Sequence, residues 1–222
     1  MKILFLGTGA ADWQKEKMSG EHRRNASLLI DDILLIDPGP GVLDAAKEFS
    51  VDLSKIRYVL CTHTHADHFN ASTLKELQKY GAVFITVPQG EVKRTGDYKV
   101  HALKANHSID ATHYIISRGR KRIFYGLDGA WLLYDEVQAI KEKKIDFAVF
   151  DATVGNVEGD YRVFEHNNLN MVIEMKKSLG KYIDRFCISH MARTLHDSHT
   201  KLSEQMKLYG IEVAFDGFLT EI

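Results

Sequence analysis

Short apolar runs punctuated by Gly, Pro, Asp and His recur along the chain, and this punctuation sets the reading of the fold. Residues 2–6 read as a strand that leaves into Gly7-Thr8-Gly9-Ala10-Ala11. That loop lacks a full Gly-x-Gly-x-x-Gly and no helical pattern follows it, so a tight turn is expected there rather than a nucleotide fingerprint. Residues 27–30 and 33–36 are apolar runs joined by Asp31-Asp32, the pattern of a hairpin. Asp37-Pro38-Gly39-Pro40-Gly41 ends the second run and forces a loop before a helix over about 42–49. Residues 56–60 read as a buried strand, 71–80 as a helix and 83–87 as a strand. Three β-like runs follow at 98–103, 112–117 and 122–125. After them, helices at 131–143, 168–179 and 195–209 alternate with strands at 145–150 and 185–189, and a final pair of strands closes the chain.

Strands that come first as a hairpin set and then alternate with helices fit two sheets covered by helices on their outer faces. With 222 residues, 45% of them hydrophobic, the chain is long enough for one sizeable core and short for two, so one domain over 1–222 is expected. No repeat or low-complexity segment divides it. The 29 basic and 30 acidic residues leave a net charge of -1, so no overall field recruits nucleic acid or an anionic membrane. The apolar run Ile3-Leu4-Phe5-Leu6 is too short for a signal peptide and no stretch has the length of a membrane span. A cytoplasmic protein is expected. Cys61 and Cys187, far apart in sequence, agree with a reducing compartment and read as buried core thiols rather than ligands.

Candidate chemistry gathers directly after the strand at 56–60. Cys61-Thr62-His63-Thr64-His65-Ala66-Asp67-His68 packs four potential metal ligands, His63, His65, Asp67 and His68, into six residues. In an extended loop, residues 63, 65 and 67 project to one side and His68 approaches from a turn beyond. Imidazole with carboxylate suits Zn, Mn or Fe, and four such groups exceed what one closed tetrahedral ion needs if further ligands arrive from elsewhere. A pattern of this kind arises by chance in on the order of one in several hundred chains of this length. Further ligand-type residues stand at strand ends: Asp37, His107, Asp128, Asp151 and His190, with His166 on a loop.

The His-x-His-x-Asp-His motif resembles that of the metallo-β-lactamase superfamily of hydrolases, and the resemblance covers nearly the whole chain. It implies an α/β, four-layer αββα sandwich. It also implies that His63, His65 and His107 hold one divalent ion, that Asp67, His68 and His190 hold another, and that Asp128 bridges them. Two cations a few Å apart need such a shared anion, and metal coordination lowers the pKa of bound water from about 15.7 toward about 7. The resemblance also implies that Asp67 belongs to the catalytic as well as the ligand set. Asp37 and Asp151 are expected to orient ligand histidines from behind.

Within the superfamily, His166-Asn167-Asn168-Leu169-Asn170, Ser189-His190-Met191 and Val213-Ala214-Phe215-Asp216-Gly217 resemble the phosphodiesterases allied to the carbon-phosphorus lyase pathway, which act on a phosphoribosyl cyclic phosphate. By that resemblance His166 is a catalytic histidine outside the ligand set. It donates a proton to the leaving oxygen or steadies the phosphate. Those relatives carry a cysteine cluster near the N-terminus and a His shortly after the last ligand. Here residues 11–27 contain no Cys and Arg193 stands in place of that His. Arg193, with Arg23 and Arg24, is a candidate for binding a substrate phosphate. His22, His101, His113, His196 and His199 read as structural, the last two as one solvated helix face.

The expected activity is metal-dependent hydrolysis of small or cyclic phosphodiesters with two divalent ions per chain, Zn or Mn, with Fe also admitted. The expected partner is a small-molecule diester; membranes and nucleic acid are disfavoured, and a homo-oligomer stays open. One rival is a transfer RNA 3′-end endonuclease, whose long arm lies between the positions matching His107 and Asp128. Those are 21 positions apart here and filled by two strands. Others are a lactonase or thioesterase on the same fold, and a redox or non-hydrolytic metal-binding protein.

Overall fold

The computed structural model describes residues 1–13 and 21–222. Residues 14–20 of the cysteine-free stretch noted above thus lie outside the described residues. In chain order, the first strands are β1 (Lys2–Gly7), β2 (Ser27–Ile30) and β3 (Leu34–Ile36), followed by α1 (Val42–Glu48), β4 (Tyr58–Leu60), α2 (Ala71–Lys79) and β5 (Val83–Phe84). Next come β6 (Val92–Thr95), β7 (Tyr98–Lys104), β8 (Thr112–Arg118), β9 (Lys121–Gly126), α3 (Tyr134–Lys143) and β10 (Ile145–Asp151). The chain ends with α4 (Leu169–Leu179), β11 (Ile183–Ser189), α5 (His199–Lys207), β12 (Ile211–Val213) and β13 (Leu219–Glu221). By contact the chain forms two compact units, residues 1–86 with 214–222, and residues 87–213.

The first unit holds a six-stranded sheet in the order β13-β1-β2-β3-β4-β5. β2 and β3 pair antiparallel, with Ile30 opposite Leu34, through a turn in which Asp31 and Asp32 have φ of 54° and 61°. That mirror-image turn matches the twist of a hairpin, and Asp tolerates it. β4 joins parallel to β3, so its C-terminal end delivers the His-rich loop beside the loop that follows β3. Apolar side chains of β1 to β4, α1 and α2 close this unit's core around Leu29, Leu35, Val42, Val59 and Leu77.

The second unit holds a seven-stranded sheet, β12-β11-β10-β9-β8-β7-β6. β9 to β12 run parallel and β6 to β9 antiparallel. The fully buried runs of β10 and β11 suit parallel strands, whose two faces are both covered. α3, α4 and α5 bury Ile140, Val172, Met175, Leu202 and Met206 against Phe124, Phe150 and Phe186. The Phe150 and Phe186 rings stack at 5.3 Å, and truncating such a ring to Ala costs about 3 to 5 kcal/mol.

Four expectations need correction. β6, Val-Lys-Arg-Thr, is an edge strand whose charged, exposed residues hide the apolar signal. α3 starts at Tyr134 rather than 131, because Trp131 has φ of 59° and Leu133 is extended, its N–H donated to Glu136 Oε2. α5 starts at His199 rather than 195: His196 Nε2 lies 2.6 Å from the Ala152 carbonyl oxygen and draws the segment out of the helix. The last two strands do not pair with each other but join different sheets.

Candidate metal centre

In the first unit the ligand-type residues sit on the loop after β4, and Asp37 organises that loop from beneath. Asp37 is fully buried with φ of 62°, a conformation Asp adopts more readily than most residues. Its Oδ1 accepts from the Thr62 amide at 2.7 Å and hydroxyl at 2.9 Å, and its Oδ2 lies 2.9 Å from His68 Nδ1. A carboxylate on Nδ1 turns the His68 ring and fixes its tautomer, so that the lone pair lies on Nε2. The amides of His68 and Phe69 both donate to the His65 carbonyl oxygen, a tight turn that brings His68 back toward His63. Gly39 seats this loop: a Cβ there would lie 2.3 Å from the Asp67 carbonyl oxygen.

His63 Nε2 and His65 Nδ1 face each other at 2.9 Å, and the His63 and His68 ring centroids are 4.5 Å apart. Asp67 Oδ2 lies 3.4 Å from His68 Nε2. Converging imidazole nitrogens with a carboxylate at hand are a donor set that fits a borderline divalent cation. Cys61 takes no part. Burial, and next the charge of Asp37, push its thiol pKa up, and its Sγ donates to the His63 carbonyl oxygen at 2.8 Å. Cys187 is buried in β11.

In the second unit the ligand-type residues come from the ends of β7, β9, β10 and β11. Asp128 and His190 both occupy left-handed backbone, with φ of 58° and 61°. Asp151 is their hub. Its Oδ1 accepts from the amides of Thr153 and Asn167, each at 3.0 Å, and its Oδ2 lies 2.8 Å from His166 Nδ1 and 3.4 Å from His190 Nδ1. Asp128 Oδ1 is 3.2 Å from Nδ1 of both histidines. Donor atoms of Asp128, Asp151, His166 and His190 lie within 4.8 Å of one another, as do those of His107, Glu165 and His166. Burial acts to lower the His166 pKa, but the charge of Asp151 and the hydrogen bonds to Asp128 and Asp151 outweigh it and raise it to about 11. For Asp151, burial acts upward, and the charge and hydrogen bonds of His166 and His190 outweigh it, holding the carboxyl below its usual range.

The arginines divide. Arg23 is buried in the first unit, donating to the Thr8 hydroxyl at 2.8 Å and the Ala214 carbonyl oxygen at 2.9 Å, and it pairs with Glu21. Arg24 pairs with Glu48 and lies over the Phe49 ring. Both are held by contacts of the fold. Arg193 is exposed, three positions beyond His190. His196, expected on a solvated face, is instead half-buried on the Ala152 carbonyl oxygen.

Residues to which the sequence assigned no role also converge here. Thr153 Oγ1 lies 3.1 Å from Asp151 Oδ2, 2.8 Å from His190 Nδ1 and 3.2 Å from His166 Nδ1. Asn167 Oδ1 accepts from the Trp131 amide at 2.7 Å. Glu165 brings a carboxylate beside His107 and His166. The available signal was adjacency, since Thr153 stands two positions after Asp151, and Glu165 and Asn167 flank His166.

Residues 1–72 match the family described as Anti-Pycsar protein Apyc1. Ribonuclease Z of Staphylococcus carnosus (strain TM300) is 37% identical over 68 residues, 31% of this chain and 22% of that protein's length. Among solved structures, the metallo-β-lactamase fold protein YhfI from Bacillus subtilis is similar over 100% of this chain and 99% of its own, with a TM-score of 0.79 and 16% identity. A diphosphatase from the PhnP family is similar over 100% of this chain and 97% of its own, at 0.75 and 18%. The family match spans the stretch ending with the His-rich loop, while the structural likeness runs through both sheets. The architecture of this chain is accordingly the metallo-β-lactamase fold.

Proposed function

We propose that the chain is a dinuclear metal-dependent phosphodiesterase acting on small or cyclic phosphodiesters. On this reading His63, His65 and His107 hold one divalent ion, Asp67, His68 and His190 hold a second, and Asp128 is shared between them. The observation that carries it is that both units present buried imidazoles backed by buried carboxylates, Asp37 on His68 and Asp151 on His190, the arrangement by which metal-binding histidines are held. Ions bound there, Zn or Mn with Fe also admitted, supply activation of water and charge to clamp a phosphoryl group.

The chain's own residues account for the rest. Asp37 and Asp151 keep the ligand rings oriented, so little reorganisation is left for the moment of reaction. His166, held by Asp151 at 2.8 Å, is the group placed to hand a proton to the leaving oxygen. Arg193, on the loop after His190, supplies a planar cation for a phosphate. The names of the relatives, a diphosphatase and a ribonuclease, bring the same phosphorus-centred chemistry to the proposal. The ribonuclease match favours a second reading, cleavage of transfer RNA at its 3′ end. Against it, β8 and β9 fill the interval between His107 and Asp128, and the net charge is -1, with no excess of basic residues to hold a large polyanion.

The test is elemental analysis of protein reloaded with excess metal. Wild type should hold two ions per chain, and Asp128→Ala should lose affinity for both, because each cation loses the shared anion. One ion in fully loaded wild type would overturn the dinuclear assignment.

A further inference from the structure

Away from the ligand residues, the second unit buries a second histidine–carboxylate pair. His113 on β8 and Glu136 on α3 have side chains 1% and 0% exposed, with Nδ1 and Oε1 2.5 Å apart. Glu136 spends its other oxygen on the Leu133 amide at 2.7 Å, the N-terminal cap of α3. The far edge of the ring meets backbone: a Cβ on Gly129 would lie 2.6 Å from His113 Cε1 and 2.8 Å from its Nε2. Gly129 does not have a left-handed φ, so the approach of the ring, not the backbone conformation, is what demands glycine there. Gly129 directly follows Asp128.

A buried ion pair adds little to stability, since desolvation cancels most of the attraction and a well-packed apolar pair does as well or better. What the pair supplies that an apolar one does not is direction. Glu136 fixes the ring's tilt, the ring fixes the distance of closest approach to Gly129, and the same Glu136 fixes Leu133 at the other end of the 127–133 loop. Between those ends, Ala130 donates its amide to the Asn106 carbonyl oxygen at 3.0 Å and Trp131 donates to Asn167 Oδ1 at 2.7 Å. The loop carrying Asp128 is thus held at Gly129, Ala130, Trp131 and Leu133.

We propose that His113 and Glu136 are a positioning pair that sets the Asp128 carboxylate for metal binding. This rests on the reading of Asp128 as a metal ligand and deepens it.

The experiment replaces the pair with apolar residues, His113→Leu with Glu136→Met, and separately makes Gly129→Ala with the pair intact. Three quantities are read: amide hydrogen exchange over 127–133 in metal-free protein, metal affinity, and kcat and KM on a chromogenic phosphodiester. In both variants, loop exchange should rise while the strands of the second unit stay protected. Affinity for the ions should fall by roughly 10-fold or more, the scale seen when groups behind metal ligands are removed. kcat should fall with KM nearly unchanged. Wild-type loop protection together with wild-type metal affinity in either folded variant would overturn the pair's role. If the apolar variant does not fold, Gly129→Ala decides alone. Loss of loop protection with unchanged metal affinity would also overturn the proposal, because the pair would then serve the fold only. A wild-type protein that takes up no metal would overturn the Asp128 reading instead, and the exchange data would still separate the two failures.

Discussion

His166 Nδ1 stands 2.8 Å from Asp151 Oδ2, and the same carboxylate oxygen lies 3.4 Å from His190 Nδ1. One buried carboxylate therefore orients two imidazoles whose rings stack at 5.6 Å and 18°, and their proposed fates differ: His190 binds metal and His166 moves a proton. Shared anchoring keeps the two in register. It also means that His166 sits among groups able to ligate, so its role has to be separated from theirs by experiment.

His166→Ala should keep both ions and lose roughly 10²-fold in kcat, the scale of a general acid. Metal analysis and turnover on the same preparation read it. Unchanged turnover would make the residue structural, and a lost ion would move it into the ligand set.

The pair also fixes a pH dependence of the metal-free protein. The His166 pKa is raised from 6.5 to about 11, so its contribution to stability is fully present below 6.5 and is lost as pH rises toward about 11. The Asp151 pKa is lowered from 3.8, so its contribution is present above 3.8 and is lost as pH falls through the lowered value. Calorimetry of metal-free protein should give a Tm that declines steadily from near neutral pH to about pH 10, and His166→Ala should flatten that alkaline slope. A slope unchanged by the substitution would place the titrating group elsewhere.

Asp37→Asn should leave the fold standing, because Asn tolerates the left-handed φ of 62° and still accepts from Thr62. It should nevertheless lower metal affinity by about 10-fold, since an amide holds the His68 ring less firmly than a carboxylate. Competition with a metal chelator measures this, and wild-type affinity in the variant would contradict the role given to Asp37.

Much of this was legible in the residues because it is local. The hairpin at β2 and β3 follows from two apolar runs around Asp31-Asp32, and the loop after β4 from four ligand-type side chains in six residues. What escaped depends on partners distant in sequence. The ends of α3 and α5 are set by Glu136 on Leu133 and by Ala152 on His196, neither of which is a periodic signal. β6 is held by its pairing with β7 despite a charged sequence. The contacts of Arg23 with Thr8 and Ala214 and of Arg24 with Glu48 likewise join residues far apart in sequence. His113 resembled any other histidine, and only the fold brings Gly129 against it.

The most direct test of the proposed chemistry is kcat/KM for metal-loaded protein on a chromogenic phosphodiester, 2′,3′-cyclic nucleotides, a phosphoribosyl cyclic phosphate, a lactone, a thioester and a precursor transfer RNA under one metal condition. Small diesters, cyclic ones among them, should lead the series, with the precursor RNA left uncut, because the proposed pair of cations with His166 and Arg193 would ask little of remote binding. Preference for the lactone or thioester by orders of magnitude, or cleavage of the RNA at its 3′ end, would contradict the phosphodiesterase reading.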